Sequence, residues 1–284
     1  MSDFWSWYSR SKQQAKLEQI PLFELDWLIA RTTHIDKLAL RLEQGDLDRD
    51  RLAKLEQLWQ KRITEKIPVQ YLVGSVTWRN LELTVTPAVL IPRPETELII
   101  DLIVELVNDP SAVGNWVDLG TGSGAIALGL AQVLPNCLIH AVDWSEDALS
   151  IAAINVANNH LVDRIKLDHG QWFEPLSELK LKINGMVSNP PYIPTAEIAH
   201  LQPEVAQHEP HLALDGGVDG LEAVQHLIDT APAYLISGGY WIVELMAGQA
   251  DIVRSRLKAQ GSYDQIQTHF DRAGIERFVS ARKI

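Results

Sequence analysis

The chain has 284 residues, of which 46% are hydrophobic and 22% are charged, so it can bury the cores of two domains and is too apolar for extended disorder. It contains 25 Lys and Arg against 37 Asp and Glu, and the net charge of −12 disfavours direct binding of nucleic acid and favours a basic protein partner. A single cysteine, Cys137, excludes an intrachain disulfide and a cysteine-based metal site.

Targeting and membrane signals are not apparent in the sequence. The first ten residues, Met1 to Arg10, are aromatic and polar, which is not typical of a signal peptide. Apolar runs end well before the roughly 20 residues that a membrane helix needs. The lone cysteine suits a reducing compartment. We therefore expect no membrane association, no bound metal and a cytoplasmic location.

The first part of the chain shows helical periodicity. Apolar residues recur at three- and four-residue steps, as in Leu52, Leu55, Trp59 and Ile63. No strand pattern interrupts them. This pattern predicts a small helical bundle, which we assign as a domain covering residues 1–72.

A β-hairpin is predicted next, over residues 73–91. Two apolar runs flank Arg79-Asn80, which is typical of two strands joined by a turn. Pro92 and Pro94 end this segment, and a helix is predicted from Glu95 to Leu106. The hairpin therefore links the helical domain to a second domain, which we assign to residues 92–284.

Strands and helices alternate through this second domain, which predicts an α/β fold with a parallel sheet and helices on both faces. The predicted strands are Trp116–Leu119, Leu138–Val142, Ile165–Asp168, Ile183–Ser188, Tyr240–Leu245, Gln265–Phe270 and Arg277–Ala281. The predicted helices are Ser123–Leu134, Glu146–Asn158, Leu221–Leu235 and Gln249–Ala259. Residues 194–220 have little periodicity, and this long segment is either a functional lid or a surface excursion.

A glycine-rich loop follows the first strand of this domain. Gly120-Thr121-Gly122-Ser123-Gly124 leaves room for a ligand against the backbone, and the helix that follows offers free N–H groups. Such a loop between a strand and a helix predicts nucleotide binding. Asp118, just before the loop, either faces a cationic group of the cofactor or accepts hydrogen bonds from loop N–H groups.

An acidic residue ends the next predicted strand. Asp143 lies about 20 residues beyond the loop, the distance at which a carboxylate accepts hydrogen bonds from ribose hydroxyls. The competing interpretation is a helix cap before Ser145 and Glu146. The loop and Asp143 fit both dinucleotide oxidoreductases and methyltransferases.

The tetrapeptide Asn189-Pro190-Pro191-Tyr192 separates those two classes. It follows the fourth strand, so it should share one crevice with the glycine loop and Asp143. Two prolines make the turn rigid. The side-chain oxygen of Asn189 and the carbonyl of Pro190 can each accept an N–H of a planar NH₂ group, and Tyr192 offers a flat face. This arrangement predicts methyl transfer to an amide or amino nitrogen.

These motifs resemble those of the peptide chain release factor N5-glutamine methyltransferases over nearly the whole chain. The most specific match combines Ile-Pro-Arg-Pro-Glu-Thr-Glu, at Ile91–Glu97, with the tetrapeptide above. The matching segments are Pro68–Gly74, Leu90–Glu97, Asp118–Ala125, Ala141–Asp143, Trp172–Leu176, Ser188–Ile193 and Gly216–Leu221.

The resemblance implies a seven-stranded Rossmann-like methyltransferase domain that uses S-adenosyl-L-methionine, with the helical domain helping to hold the substrate. The implied substrate is the glutamine of the Gly-Gly-Gln motif of a release factor, methylated at N5 in translation termination. The implied cofactor contacts are Asp118, Gly120, Thr121, Gly122, Ser123, Gly124, Asp143, Trp172 and Asn189. Asn189, Pro190, Pro191 and Tyr192 would hold the amide. Arg93, Glu95 and Thr96 either form the substrate mouth or only begin a helix.

Two other functions remain open at the level of sequence. An adenine-N6 methyltransferase acting on DNA or RNA would use the same tetrapeptide, because an exocyclic adenine amine is also planar and conjugated. Methylation in a duplex would require base flipping and basic contacts, which the acidic composition disfavours. A degenerate methyltransferase fold that acts only as an adaptor would not need the complete set of motif residues.

Overall fold

The structure is a computed structural model that describes residues 2–107, 109 and 112–284. The chain forms two compact units. The first runs to Ser75 and includes Gln202–His208, and the second comprises Val76–Leu201 and Glu209–Ile284. Met1, where the predicted helical domain begins, lies outside the described residues. The same holds for Asn108, Pro110 and Ser111 in the predicted second domain.

The α-helices of the described residues are α1 Asp3–Leu17, α2 Leu22–Thr32, α3 Lys37–Arg41, α4 Arg49–Thr64, α5 Val69–Val73, α6 Leu98–Val107, α7 Ala125–Val133, α8 Glu146–Asn158, α9 Pro203–His208, α10 Glu222–Thr230 and α11 Ala250–Gln260. Short 3₁₀ helices cover Glu95–Glu97, Glu174–Leu179, Thr195–His200, His211–Ala213 and Ala231–Ala233. The strands are β1 Ser75–Trp78, β2 Leu81–Thr84, β3 Val113–Leu119, β4 Asn136–Asp143, β5 Ile165–His169, β6 Ile183–Ser188, β7 Leu235–Glu244, β8 Tyr263–Phe270 and β9 Glu276–Lys283.

The first unit is a helical bundle with its own core. Phe4, Leu28 and Trp59 are fully buried in that core, so the helical periodicity of the sequence corresponds to a packed apolar face. The guanidinium of Arg62, also buried, donates to Glu24 and Glu204. Glu204 lies in α9, so the short segment 202–208 packs as part of this unit although it is distant in sequence.

The second unit contains a seven-stranded sheet with the order β5-β4-β3-β6-β7-β9-β8, which confirms the predicted Rossmann-like α/β fold. The strands β4, β6 and β7 continue the sheet from β3 in parallel pairs. The strand β9 runs antiparallel between β7 and β8. Because β4 and β6 both pair with β3 in parallel, the carboxyl ends of these three strands lie at one edge of the sheet.

Apolar side chains pack on both faces of this sheet. One core includes Ile100 and Leu128 from α6 and α7, and the other includes Leu227 and Val253 from α10 and α11. Helices therefore cover both faces, as the alternation of strands and helices predicted. Among the described residues, no helix has both the length and the apolar character needed to cross a bilayer.

Some element boundaries differ from the sequence predictions. The hairpin strands end at Thr84 rather than near Ile91, and the residues beyond are held by burial of apolar side chains instead of strand pairing. The helix predicted over Leu221–Leu235 ends at Thr230, because Pro232 lacks an N–H and restricts the residue before it. Leu235 instead begins β7.

Candidate active site

A cleft of about 670 Å³ lies at the carboxyl ends of the parallel strands of the second unit. The loops after β3, β4, β5 and β6 contribute to its lining. Of the residues predicted for the site, those that line it are Arg93, Thr96, Gly120, Thr121, Gly122, Ser123, Asp143, Trp172, Asn189 and Pro191. The structure therefore brings the glycine loop and the Asn-Pro-Pro-Tyr turn together in one place.

The glycine loop adopts a backbone conformation that favours glycine. Gly120, Gly122 and Gly124 have φ angles of 76°, 54° and 82°, a region that residues with a β-carbon rarely adopt. The N–H groups of Gly120 and Thr121 donate to the carbonyl of Val142 at the end of β4, at 2.9 and 3.0 Å. These bonds hold the loop over the sheet edge, and α7 begins directly after it.

Asp118 lies fully buried beneath this loop, and it is not part of the cleft lining. Its Oδ2 accepts a hydrogen bond from Thr121 Oγ1 at 2.6 Å and another from the Ala127 N–H at 3.0 Å. Burial raises the pKa of Asp118 to about 7. Its donors are thus a hydroxyl of the loop and an N–H of α7, and its Oδ1 has no partner among the described residues.

Asp143 joins the loops after β3 and β4. Its Oδ2 accepts from the Gly122 N–H at 2.7 Å, and its Oδ1 accepts from the Ser145 N–H at 2.9 Å. Burial raises the pKa of this carboxyl above its usual value. Each oxygen has a second lone pair, so the cleft side of Asp143 can still accept hydrogen bonds from a ligand.

Two aromatic residues flank the glycine loop in the cleft. Trp172, after β5, has a φ of 51°, and its ring lies 3.8 Å from the point where a β-carbon on Gly120 would sit. A left-handed φ at a bulky residue is strained and often marks a functional site. Trp144 follows Asp143 and is 55% exposed.

Trp144 was missed at the level of sequence, although an aromatic residue directly after a strand-end carboxylate is a recognisable signal. A third ring, that of His226 in α10, also lines the cleft, 6.4 Å from Trp172. No local pattern marked His226, because α10 is distant in sequence from the loops of the site.

The Asn-Pro-Pro-Tyr turn begins where β6 ends. The Ser188 hydroxyl donates to the Leu119 carbonyl at 2.6 Å, which joins the turn to the strand that precedes the glycine loop. Asn189 and Pro191 line the cleft, whereas Pro190 is buried and Tyr192 is partly buried beside it.

Behind the turn lies a hydrogen-bond network that the sequence did not reveal. Asn189 Nδ2 donates to Thr96 Oγ1 at 3.3 Å, and Thr96 Oγ1 donates to Glu244 Oε2 at 2.7 Å. The Tyr192 hydroxyl donates to Glu244 Oε1 at 3.4 Å. Glu244 is 1% exposed, and this burial raises its pKa to about 7.

The predicted mouth residues lie in different environments. Arg93 lines the cleft, and its guanidinium donates to the buried Glu209 at 2.7 Å. Glu95 is exposed and opens a 3₁₀ turn outside the cleft lining. Thr96 is buried and lines the cleft. The described residues include no cluster of three or more His, Cys, Asp or Glu side chains suited to a metal ion.

Comparison with solved structures supports the assigned fold. The catalytic domain of hMettl16, solved in complex with a 3′UTR hairpin, has a TM-score of 0.58 at 16% identity, covering 82% of each chain. A 16S rRNA methyltransferase of T. thermophilus, in complex with AdoMet and guanosine, has a TM-score of 0.54 at 18% identity, covering 74% of this chain and 50% of that one. At such identities the similarity establishes the fold alone.

Sequence comparison is more specific. A family model described as the Methyltransferase small domain matches residues 96–218. A release factor glutamine methyltransferase of Synechocystis sp. is 50% identical, over 99% of this chain and 97% of that protein. Those of Thermosynechococcus vestitus and Gloeobacter violaceus are 48% and 45% identical, covering 81% and 96% of this chain and 79% and 94% of their own lengths. The chain therefore belongs to the release factor glutamine methyltransferase family.

Proposed function

We propose that the protein transfers a methyl group from S-adenosyl-L-methionine to the N5 amide nitrogen of the glutamine in the Gly-Gly-Gln motif of a peptide chain release factor. The observation on which this depends is that the Asn189 turn and the glycine loop line one cleft, with their parent strands paired at Leu119 and Ser188. Family membership supports the protein substrate. The role of the protein is thus in translation termination.

The cleft fits S-adenosylmethionine in size and in chemistry. Its volume lies in the range typical of small-ligand sites. A β-carbon on Gly122 would meet no atom of the described residues within 4 Å, so the bare backbone there leaves space for a ligand. When bound, the cofactor supplies an electrophilic methyl group attached to a sulfonium.

The contacts to the cofactor follow from the position of each residue. Asp143 accepts hydrogen bonds from the ribose hydroxyls, and the exposed ring of Trp144 offers a flat apolar face to the adenine. Asp118 either attracts the ammonium group with its carboxylate or holds the glycine loop in place through its bond to Thr121. The further proposed contacts are Gly120, Thr121, Gly122, Ser123, Gly124, Trp172 and Asn189.

The substrate amide is held by the Asn-Pro-Pro-Tyr turn. An amide nitrogen is a poor nucleophile because its lone pair is delocalised into the carbonyl group. Asn189 Oδ1 and the Pro190 carbonyl each accept a hydrogen bond from one of its two N–H groups, which returns electron density to the nitrogen. Pro191 keeps the turn rigid and Tyr192 packs against the flat group. Proximity and orientation supply most of the rate enhancement.

Substrate recognition extends beyond the reacting group. We assign the helical domain, residues 1–72, to recognition of the release factor, with residues 73–91 as a hairpin linker and 92–284 as the catalytic domain. Arg93 and Glu95 contribute to the mouth, where the ion pair of Arg93 with Glu209 fixes the backbone after the hairpin. We place the protein in the cytoplasm, where its buried Cys137 stays reduced.

Charge separates a protein substrate from a nucleic acid. The net charge of the chain is −12, and all of this acidic excess lies in the unit that contains the cleft, because acidic and basic residues are equal in number in the first unit. A nucleic-acid methyltransferase needs clustered Lys and Arg to neutralise phosphates. We therefore expect methylation of a release factor and not of adenine in DNA or RNA.

The proposal is tested by incubating the protein with isotopically labelled S-adenosylmethionine and, separately, a purified release factor and single-stranded DNA. Mass spectrometry of release factor peptides is expected to locate one added methyl group on the glutamine of the Gly-Gly-Gln motif. A release factor with that glutamine changed to alanine is the matched control and should remain unlabelled. Label in the DNA and none in the release factor would overturn the proposal.

A further inference from the structure

A buried carboxylate lies behind the Asn-Pro-Pro-Tyr turn, and none of the roles proposed above uses it. Glu244 ends β7, the neighbour of β6, and is 1% exposed. The nearby Arg277 donates to Asp271 instead, and no salt bridge to Glu244 occurs among the described residues. Burial of a carboxylate without a paired cation is costly, so the buried position of Glu244 needs another explanation.

The hydrogen bonds of Glu244 determine which way Thr96 points. In its ionised form, which predominates above its pKa of about 7, the carboxylate only accepts hydrogen bonds. The single hydroxyl proton of Thr96 is then directed to Glu244 Oε2, 2.7 Å away. The oxygen of Thr96 is then left as an acceptor. It can accept only from the nitrogen of the Asn189 amide, which lies 3.3 Å away.

This directionality fixes the orientation of the Asn189 amide. With Nδ2 directed to Thr96, Oδ1 is the atom left to accept an N–H from a substrate. In the flipped orientation, Asn189 would present its own NH₂ to the NH₂ of the substrate, and two donors would face each other. A free asparagine side chain has no strong preference between the two orientations, so the selection comes from its neighbours.

The same carboxylate also holds the other end of the turn. The Tyr192 hydroxyl donates to Glu244 Oε1 at 3.4 Å, so both oxygens of the carboxylate are used by the turn or by its partner Thr96. The two residues that flank Pro190 and Pro191 therefore depend on one buried group. Networks of this kind restrict a site to a single geometry when each member is satisfied.

We infer that Thr96 and Glu244 are positioning residues that fix the Asn189 amide with its oxygen toward the substrate, and so select an NH₂ group as methyl acceptor. This inference rests on the proposed function, because it assigns these residues to the same methyl transfer. Neither residue needs to touch the substrate. Their effect is exerted through Asn189, and it appears in the rate of transfer rather than in binding of the cofactor.

The kinetic test uses the full-length protein with the variants Thr96→Val, Thr96→Ser, Glu244→Gln and the double variant T96V/E244Q. Valine keeps the shape of threonine and removes both hydrogen bonds, so kcat should fall about tenfold or more, the effect of one lost transition-state hydrogen bond. The dissociation constant of S-adenosylmethionine should change less than about twofold, because the effect is confined to the chemical step. Thr96→Ser keeps the hydroxyl and should retain most of the activity.

The double variant shows whether Glu244 affects kcat through Thr96 or independently of it. If Glu244 acts through Thr96, T96V/E244Q should have a kcat within about threefold of that of the more impaired single variant. Multiplication of the two single effects would overturn the inference, and so would unchanged kcat in Thr96→Val. Thr96→Val remains decisive by itself if Glu244→Gln fails to fold.

A readout that needs no methyl transfer tests the same contact. The two ¹H–¹⁵N correlations of the Asn189 amide group are identified by their loss in Asn189→Ala, and they should shift in Thr96→Val. Unshifted correlations would overturn the inference whatever the activity. A wild-type protein that methylates no release factor would contradict the proposed function alone, since the spectra still test the contact between Thr96 and the Asn189 amide group.

Discussion

Leu119 and Ser188 are neighbours at the carboxyl ends of β3 and β6, and the Ser188 hydroxyl donates to the Leu119 carbonyl oxygen at 2.6 Å. One residue beyond Leu119 the glycine loop begins, and one residue beyond Ser188 stands Asn189. This hydrogen bond adds to the pairing of β3 with β6 and helps to connect the two segments that line the cleft. The distance over which a methyl group would move depends on this connection.

Removal of that hydrogen bond should destabilise the protein. In Ser188→Ala the Leu119 carbonyl loses a buried donor, and the free energy of unfolding should fall by about 1–2 kcal/mol. Ser150→Ala is the matched control, because Ser150 donates to Glu146 on the exposed side of α8 and its loss should cost less than about 0.5 kcal/mol. Urea denaturation of both variants measures the difference. Equal destabilisation of the two variants would show that the Leu119–Ser188 hydrogen bond contributes no more to stability than an exposed one.

Asn189 should contribute more to methyl transfer than to binding of the cofactor, since it is only one of many proposed cofactor contacts. We expect Asn189→Ala to lower kcat about tenfold or more, since a hydrogen bond realised in the transition state contributes roughly 1–3 kcal/mol. Affinity for S-adenosylmethionine, measured by calorimetry, should be maintained. Turnover equal to that of the wild type would remove the catalytic assignment of this residue.

Asp143 should have the opposite effect, on the cofactor and not on the chemistry. Asp143→Ala should weaken binding of S-adenosylmethionine by about 1.5–3 kcal/mol, the usual contribution of a charge-assisted hydrogen bond. Asp147→Ala is the control for net charge, because Asp147 lies exposed on the rim of the same cleft. Calorimetric titration that gives the same affinity for both variants would reject the ribose contact.

The buried carboxyls should make stability depend on pH. The pKa of Glu244 is raised from 4.5 to about 7, and that of Asp118 from 3.8 to about 7, in both cases mainly by burial. The folded state thus binds more protons than the unfolded state between those values, and the free energy of unfolding falls as pH rises through this window. Arg277 lowers the pKa of Glu244 and Glu95 raises it.

Glu244→Gln provides the measurement of that contribution. Chemical denaturation at about pH 5 and about pH 8 should show a smaller loss of stability in this variant than in the wild type, because one of the buried titrating carboxyls is absent. Asp118 continues to titrate in the variant, so the free energy of unfolding should still fall to some extent as pH rises. An identical change in the free energy of unfolding between the two pH values in both proteins would mean that Glu244 is ionised at both.

Local patterns in the sequence were sufficient to predict the fold class and much of the cleft. The glycine loop, Asp143 and the Asn189 turn each follow a strand, and parallel strands end at a common edge. Their meeting could therefore be expected without knowledge of the strand order. The left-handed φ angles of Gly120, Gly122 and Gly124 follow equally from residue type.

Only the tertiary structure decided which distant side chains complete the site. Glu244 lies far along the chain from Thr96, and their hydrogen bond exists because the 3₁₀ helix Glu95–Glu97 lies against the end of β7. Glu204 pairs with Arg62 for a similar reason, since α9 packs with the helical unit. Periodicity and motifs report contacts within a few residues, whereas burial of polar groups requires partners that the sheet order and packing alone select.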